Sequence, residues 1–440
     1  MALLARRNLC LASILTLLLA GPAWSGNWPQ WRGPAGDSVS DETGLPLKWD
    51  EKTNIVWKCR LPEWGASTPA IWGDAIFVTT QDRETLYLLK INKKDGKMEW
   101  TRRVGTGTIP RQPLRKKSDD ERRSQRFHDL HNMASPSPVT DGEVVIAHFG
   151  NGDLAAYDFA GKQLWTHNLQ KEHGNYTIWW GHANSPVLYK NLVISACMQD
   201  SLADLGTPKT ESYLVAHDIK SGKQEWKTLR MTGAAAEECD SYTTPVFHKT
   251  NGGVEMIVMG GNQIDGYDPA TGKQLWYLPG IKGGRTITGP TIGADLAYCT
   301  QGMKGPLLAV KLGGEGKLDP TKDVAWKQTQ GTPDSSTPVV WKDWLFWVSD
   351  NGFAQCVDGR TGELKWKERL PGDYKPSPLA VEGRIYFLNL KGHCTVVAAS
   401  AKFEKLAENQ IDDDTIASPA ISDGRIYLRG HKALYCIGSK

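Results

Sequence analysis

Adjacent cysteines are missing from this chain, and so is any C-x-x-C-H pattern, which excludes a dense disulfide framework and covalent haem attachment. Beyond the first ten residues the cysteines are Cys59, Cys197, Cys239, Cys299, Cys356, Cys394 and Cys436, an odd set. After residue 20 no apolar run is long enough to span a membrane. The signatures G-x-S-x-G, H-E-x-x-H and G-x-x-x-x-G-K-[ST] are absent, which removes the common hydrolase, zinc-protease and nucleotide-binding readings. Excess charge is lacking too: 52 Lys and Arg face 49 Asp and Glu, a net +3, so no nucleic-acid partner is expected.

The start of the chain reads as a targeting segment. Arg6 and Arg7 precede the apolar stretch Leu9 to Ala20, and Ala23-Trp24-Ser25 offers a small-x-small cleavage site. Residues 1–25 are therefore expected to be a cleavable secretory signal, with the general export route preferred over the twin-arginine one, and the protein periplasmic or secreted. Cys10 precedes the apolar core, so no lipoprotein anchor is expected. Residues 26–53 form an N-terminal extension and 54–440 one repeat domain. Losing Arg6 and Arg7 takes the net charge from +3 to about +1.

What the chain has in abundance is tryptophan in a repeating context. Trp57, Trp100, Trp165, Trp226, Trp276, Trp326 and Trp366 each close a short apolar run, at gaps of 43, 65, 61, 50, 50 and 40 residues. Five end one phrase, a polar turn reaching glycine: INKKDGKMEW, YDFAGKQLW, HDIKSGKQEW, YDPATGKQLW and VDGRTGELKW. Such a period, built from short strands, implies a radial β array. A second phrase opens each unit with Pro69, Pro138, Pro186, Pro245, Pro290, Pro338, Pro378 or Pro419, preceded by Ser or Thr except at Gly289. Proline is tolerated at a strand's first position, where its missing N–H is not needed.

The fold read from this pattern is an all-β, eight-bladed β-propeller. Its last unit ends at LYCIG (434–438) without a fourth strand, while NIVWKC (54–59) is a strand with no unit before it. The two ends are expected to pair and close the ring, removing an exposed sheet edge. Each indole is expected to cover the glycine turn of the next blade, burying on the order of 200 Å². Blade seven carries FEKLAEN at 403–409 in place of the tryptophan, and Trp28 and Trp31 lie before the ring, where loss of Trp28 is expected to cost little. Cys356 and Cys436 take the strand position of Ala156 and Ala216, which predicts small buried core residues; Cys59 and Cys436 sit on neighbouring strands out of register.

The tryptophan phrases, which run from about residue 54 to 438, resemble the pyrroloquinoline-quinone-repeat propeller family, BamB-like and quinoprotein-dehydrogenase-like. The opening NWPQWRGP at 27–34 is similar to that of secreted bacterial members of this group. The resemblance implies the propeller fold and admits pyrroloquinoline quinone with calcium as a cofactor. The quinoprotein site of that family uses an adjacent cysteine pair, calcium ligands and a catalytic aspartate. The pair is absent here and no ligand set is assignable, so no cofactor is expected and no metal site is assigned.

Functional residues are sought in the irregular segments. The insertion at about 102–134 is basic, and Arg111, Arg115 and Arg122 are candidates for attracting an anion. Clusters before four strand openings bring His131, Asn132, Trp180, His182, Asp240, Tyr242 and Arg285 toward one mouth of the channel. His128, His131 and His182 without cysteine or a fixed carboxylate make a weak metal set, and the mixture suits a sugar at least as well. The expected role is a monomeric binding or scaffold protein of the envelope, meeting an envelope or extracellular protein or an anionic glycan. The alternatives are a carbohydrate-active lyase or hydrolase and a quinone-dependent oxidoreductase at the same mouth.

Overall fold

The structure, a computed structural model, describes residues 26–108, 118–206, 210–250, 252–300, 302 and 305–439. Eight sheets follow one another around an axis, each built on three or four strands paired antiparallel in chain order. Blade 1 consists of Ala70–Trp72, Ala75–Asp82, Thr85–Asn92 and Met98–Thr106, from the axis outward. In blade 8, Ala420–Ser422, Arg425–Arg429 and Ala433–Ile437 are completed on the outside by Ile55–Arg60. This is the closure that the unpaired ends imply. Trp57 lies opposite Cys436 and Cys59 opposite Leu434, so the two thiols are offset, and all the described cysteines are buried and free.

The serine or threonine before each opening proline has a physical role that its repetition alone does not reveal. The backbone N–H of Thr68 donates to Ser137 Oγ (2.9 Å), that of Ser137 to Ser185 Oγ (2.9 Å) and that of Ser185 to Thr244 Oγ1 (3.2 Å). The series resumes from Gly289 to Thr337 (2.9 Å), Thr337 to Ser377 (3.1 Å) and Ser377 to Ser418 (3.0 Å). Neighbouring inner strands are too close to the axis to be bridged by large side chains, and these short hydroxyls satisfy their buried N–H groups.

The tryptophan phrase is equally mechanical. In blade 6, Asp358 Oδ1 accepts the N–H groups of Arg360 and Thr361, fixing a turn in which Gly362 takes φ +73°. A Cβ on Gly362 would lie 2.6 Å from the indole of Trp326 in blade 5. The same indole N–H donates to the Gly359 carbonyl at 2.8 Å. Trp57, Trp100, Trp165 and Trp366 likewise donate to Lys93, Phe159, Ile219 and Ser400 of the following blade. Trp226 packs on Gly272 without an indole hydrogen bond.

Trp276 departs from this rule although its phrase is the fullest. Blade 5 has no short turn to receive it; Gly316–Lys317 of its long connection pairs instead with Gln274–Pro279, the strand that bears Trp276. The indole turns onto its own sheet, donates to Glu255 Oε2 (2.6 Å), and fits because its neighbour across the strand is Gly266.

The N-terminal extension is part of the ring, contrary to the expectation for Trp28. Trp28 is 1 % exposed and exchanges backbone hydrogen bonds with Ile71 of blade 1. The Pro29 carbonyl accepts from Thr140 of blade 2, and the Ser38 carbonyl from Ala380 of blade 7. Between them the buried Arg32 guanidinium donates to the Pro290 and Pro338 carbonyls of blades 5 and 6, at 3.1 and 2.8 Å. Val39–Ser40 then pairs in parallel with Leu379–Val381. Having contacted the inner strands of five blades, this segment occupies one end of the channel and not the other.

Candidate functional site

At that other end, the residues three places before six of the opening prolines meet. Ala183, Tyr242, Ile287, Ser335, Lys375 and Ile416 line one cavity of about 260 Å³, together with His128, Leu130, His131, Trp180 and Arg285. Each blade enters the ring through the same backbone path, so a fixed offset from the proline gives a fixed place around the mouth. Four of the seven residues singled out from sequence are here: His131, Trp180, Tyr242 and Arg285. Blades 6 to 8, whose openings look plain, supply Ser335, Lys375 and Ile416, and the sequence reading passed over all three.

The aromatic side of the cavity is held from several directions. Trp180 N–H donates to the Tyr242 hydroxyl (3.0 Å), and that hydroxyl donates to Asp240 Oδ2 (2.9 Å). His131 Nε2 donates to the Trp180 carbonyl at 2.7 Å, and His128 meets the Trp180 ring edge-on at 5.1 Å. Burial, reinforced by the Asp240 charge, pushes the Tyr242 phenol well above its ordinary value. It remains a neutral phenol with both hydrogen-bonding roles already in use.

The cavity also carries two cations, each held by carboxylates just behind the lining. Arg285 reaches Asp334 Oδ2 at 3.3 Å and Glu237 Oε1 at 3.6 Å, and Lys375 Nζ meets Asp350 Oδ2 at 2.5 Å and Ser335 Oγ at 3.0 Å. Both cations keep part of their surface in solvent, 21 % for Arg285 and 24 % for Lys375. The lining itself contains no carboxylate, amide or cysteine. That donor set does not match calcium, which takes six to eight oxygen ligands dominated by carboxylates and carbonyls.

Three expected site residues lie behind the cavity. His182 is fully buried: its backbone N–H donates to Gln125 Oε1 (2.8 Å) and its Nε2 lies 3.4 Å from His148 Nδ1. Burial pushes its imidazole down to about 3, so it is neutral at physiological pH. Asn132 donates to the Trp64 carbonyl and accepts from Ala134 N–H, which fixes its loop. Asp240, also buried, accepts from Trp179 N–H and from Tyr242.

The basic insertion also differs from expectation. Met98–Thr106 is the outer strand of blade 1, so residues 102–106 belong to the sheet. Arg122 is not available to a ligand: its guanidinium, 4 % exposed, bonds Asp200 (2.8 and 3.0 Å) and Asp204 (2.8 and 2.9 Å) in a loop of blade 3. Its hydrogen bonds to those two carboxylates raise its already high proton affinity. Arg111 and Arg115 lie outside the described residues. A larger cleft of about 500 Å³ beside Asn151 and Asp153 is polar, but its groups bond one another, as in Asn168 Nδ2 to Asp153 Oδ1 at 2.7 Å.

Comparison with known proteins matches this architecture. No curated protein matches the sequence. Among solved structures, BamB from Moraxella catarrhalis is 13 % identical with a TM-score of 0.57, over 88 % of this chain and 97 % of that one. Quinohemoprotein alcohol dehydrogenase from Comamonas testosteroni is 13 % identical with a TM-score of 0.65, over 96 % and 82 %. A europium-containing methanol dehydrogenase is 12 % identical with a TM-score of 0.58, over 92 % and 89 %. At such identities the likeness is one of fold. The profile described as outer membrane protein assembly factor BamB matches residues 38–228 and 316–429, and by that match over most of its length the chain belongs to the BamB-like family of PQQ-repeat propellers.

Proposed function

We propose that the protein is an exported binding propeller whose channel mouth receives an anionic group, carried by an acidic glycan or an acidic segment of an envelope or extracellular protein. The observation that carries this reading is the pairing of Arg285 and Lys375 with Trp180 and Tyr242 around one cavity. An arginine and a lysine supply charge-assisted donors, and the rings supply a flat apolar body for a sugar or side chain to lie against. Among the described residues no helix is long and apolar enough to cross a membrane. Membership of a BamB-like family supports the binding or scaffold role.

The enzymatic alternatives have less support. A lyase or hydrolase needs a proton carrier free to reach substrate, whereas the Tyr242 hydroxyl and His131 Nε2 are both engaged within the protein. A quinone site would need oxygen ligands for calcium, and no carboxylate or amide side chain lines the cavity. The test is equilibrium binding of an acidic oligosaccharide and its neutral counterpart, with dye reduction after addition of quinone and calcium run alongside. Selective, salt-sensitive binding of the acidic ligand supports the reading; calcium-dependent dye reduction overturns it.

A further inference from the structure

His167, Glu172 and His217 form a second constellation, remote from the mouth, between blades 2 and 3. His167 lies on the outer strand Gln163–Asn168 of blade 2, and Glu172 on the short helix Leu169–His173 that follows it. His217 lies on Tyr213–Asp218 of blade 3. One ligand atom from each lies within 4.8 Å of the others. Tetrahedral zinc with Zn–N of about 2.0–2.1 Å places its ligands roughly 3.4 Å apart, so ordinary side-chain rotation closes the set.

Two independent features point to a cation here. His217 is fully buried, and neither of its ring nitrogens has a hydrogen-bond partner. A buried imidazole normally satisfies at least one nitrogen, and leaving both unsatisfied is costly. The second feature is at His167, whose Nε2 donates to the Gly222 carbonyl (2.8 Å) while Nδ1 meets Glu172 Oε1 at 2.9 Å, a hydrogen-bonding contact whose proton a metal ion would replace. A ligand histidine characteristically anchors its far N–H on a carbonyl in this way. The two imidazole rings face each other with centroids 4.7 Å apart.

We propose that His167, Glu172 and His217 bind one divalent transition-metal ion of the zinc type, which staples blade 2 to blade 3 and keeps a fourth position open to solvent. Two histidines and one carboxylate select zinc-like ions over calcium or magnesium, which prefer all-oxygen sets. Because the ligands come from two blades, the ion binds the closed ring better than the unfolded chain, and it raises the melting temperature.

The test is titration of chelator-treated full chain with cobalt(II) as a visible probe, followed by zinc, with melting temperature read in parallel. Expected are one cobalt per chain with ligand-field absorption, displacement by zinc, and an upward thermal shift. His167→Gln and Glu172→Gln, at partly exposed positions where the fold survives, should each weaken binding by more than about 100-fold, beyond the usual effect of an outer partner. Absence of one-to-one binding in the unsubstituted protein, or unchanged affinity in both variants, overturns the proposal.

Discussion

Trp31 packs directly on Gly289: a Cβ at that glycine would lie 3.1 Å from the indole. Gly289 is also the one opening residue that has no hydroxyl to place in the inner ring of hydrogen bonds, so the two departures share a cause. Gly289→Ser should destabilise the protein by about 1–3 kcal/mol through overpacking. In a Trp31→Ala background the same change should be neutral or favourable, because the new hydroxyl can then join the ring. Urea unfolding of the four proteins measures the coupling; additive losses would separate Trp31 from Gly289.

Ring closure predicts a difference between two truncations of a chain that begins at residue 26. Removing residues 26–53 takes away the channel segment but keeps Ile55–Arg60 in blade 8, and should give a monomer of lower melting temperature. Removing 26–60 also exposes the edge of Ala433–Ile437, and should give aggregation. Size-exclusion chromatography distinguishes them; identical behaviour would contradict the closure.

Trp28 and Trp276 are each 1 % exposed, so alanine at either site should cost about 3–5 kcal/mol. Near-equal midpoint shifts in urea are expected. A loss at Trp28 below about 1 kcal/mol would return the extension to a peripheral role.

His182 makes stability depend on pH. Its folded value, about 3, lies below the ordinary 6.5, so the unfolded chain binds this proton more readily. The stabilising effect is complete above pH 6.5 and is lost as pH falls from there toward 3, with a slope of up to about 1.4 kcal/mol per pH unit. His182→Asn should flatten the fall in melting temperature between pH 6.5 and 4. An equally steep fall in the variant would assign that dependence to other groups.

Much of the ring was legible because its signals are local. A turn aspartate, a left-handed glycine and a tryptophan four residues on are one mechanical unit, and the sequence displays them together. The fate of Trp276 depended on two distant facts: the short turn missing from blade 5, and Gly266 opposite the indole. Of these, Gly266 was visible, as glycine where other blades carry Ala156 or Cys356. The mouth was half legible. Residues chosen for their chemistry included His182 and Asp240, which the backbone directs into the blade ends, whereas position relative to proline selects Tyr242, Ser335 and Lys375. The extension has no repeat to betray it, so Trp28 and Arg32 gave no sign of their burial.

The central claim is that the mouth binds anions through Arg285 and Lys375. Its most direct test is a single array of acidic and neutral glycans and acidic peptides, probed with the unsubstituted protein and with the Arg285→Ala, Lys375→Ala double variant at low and high salt. The account predicts retention of acidic ligands by the unsubstituted protein, weakening as salt rises, and a loss of at least about tenfold in the variant, the worth of one charge-assisted hydrogen bond. Equal retention by the variant, or no preference for acidic over neutral ligands, would contradict it.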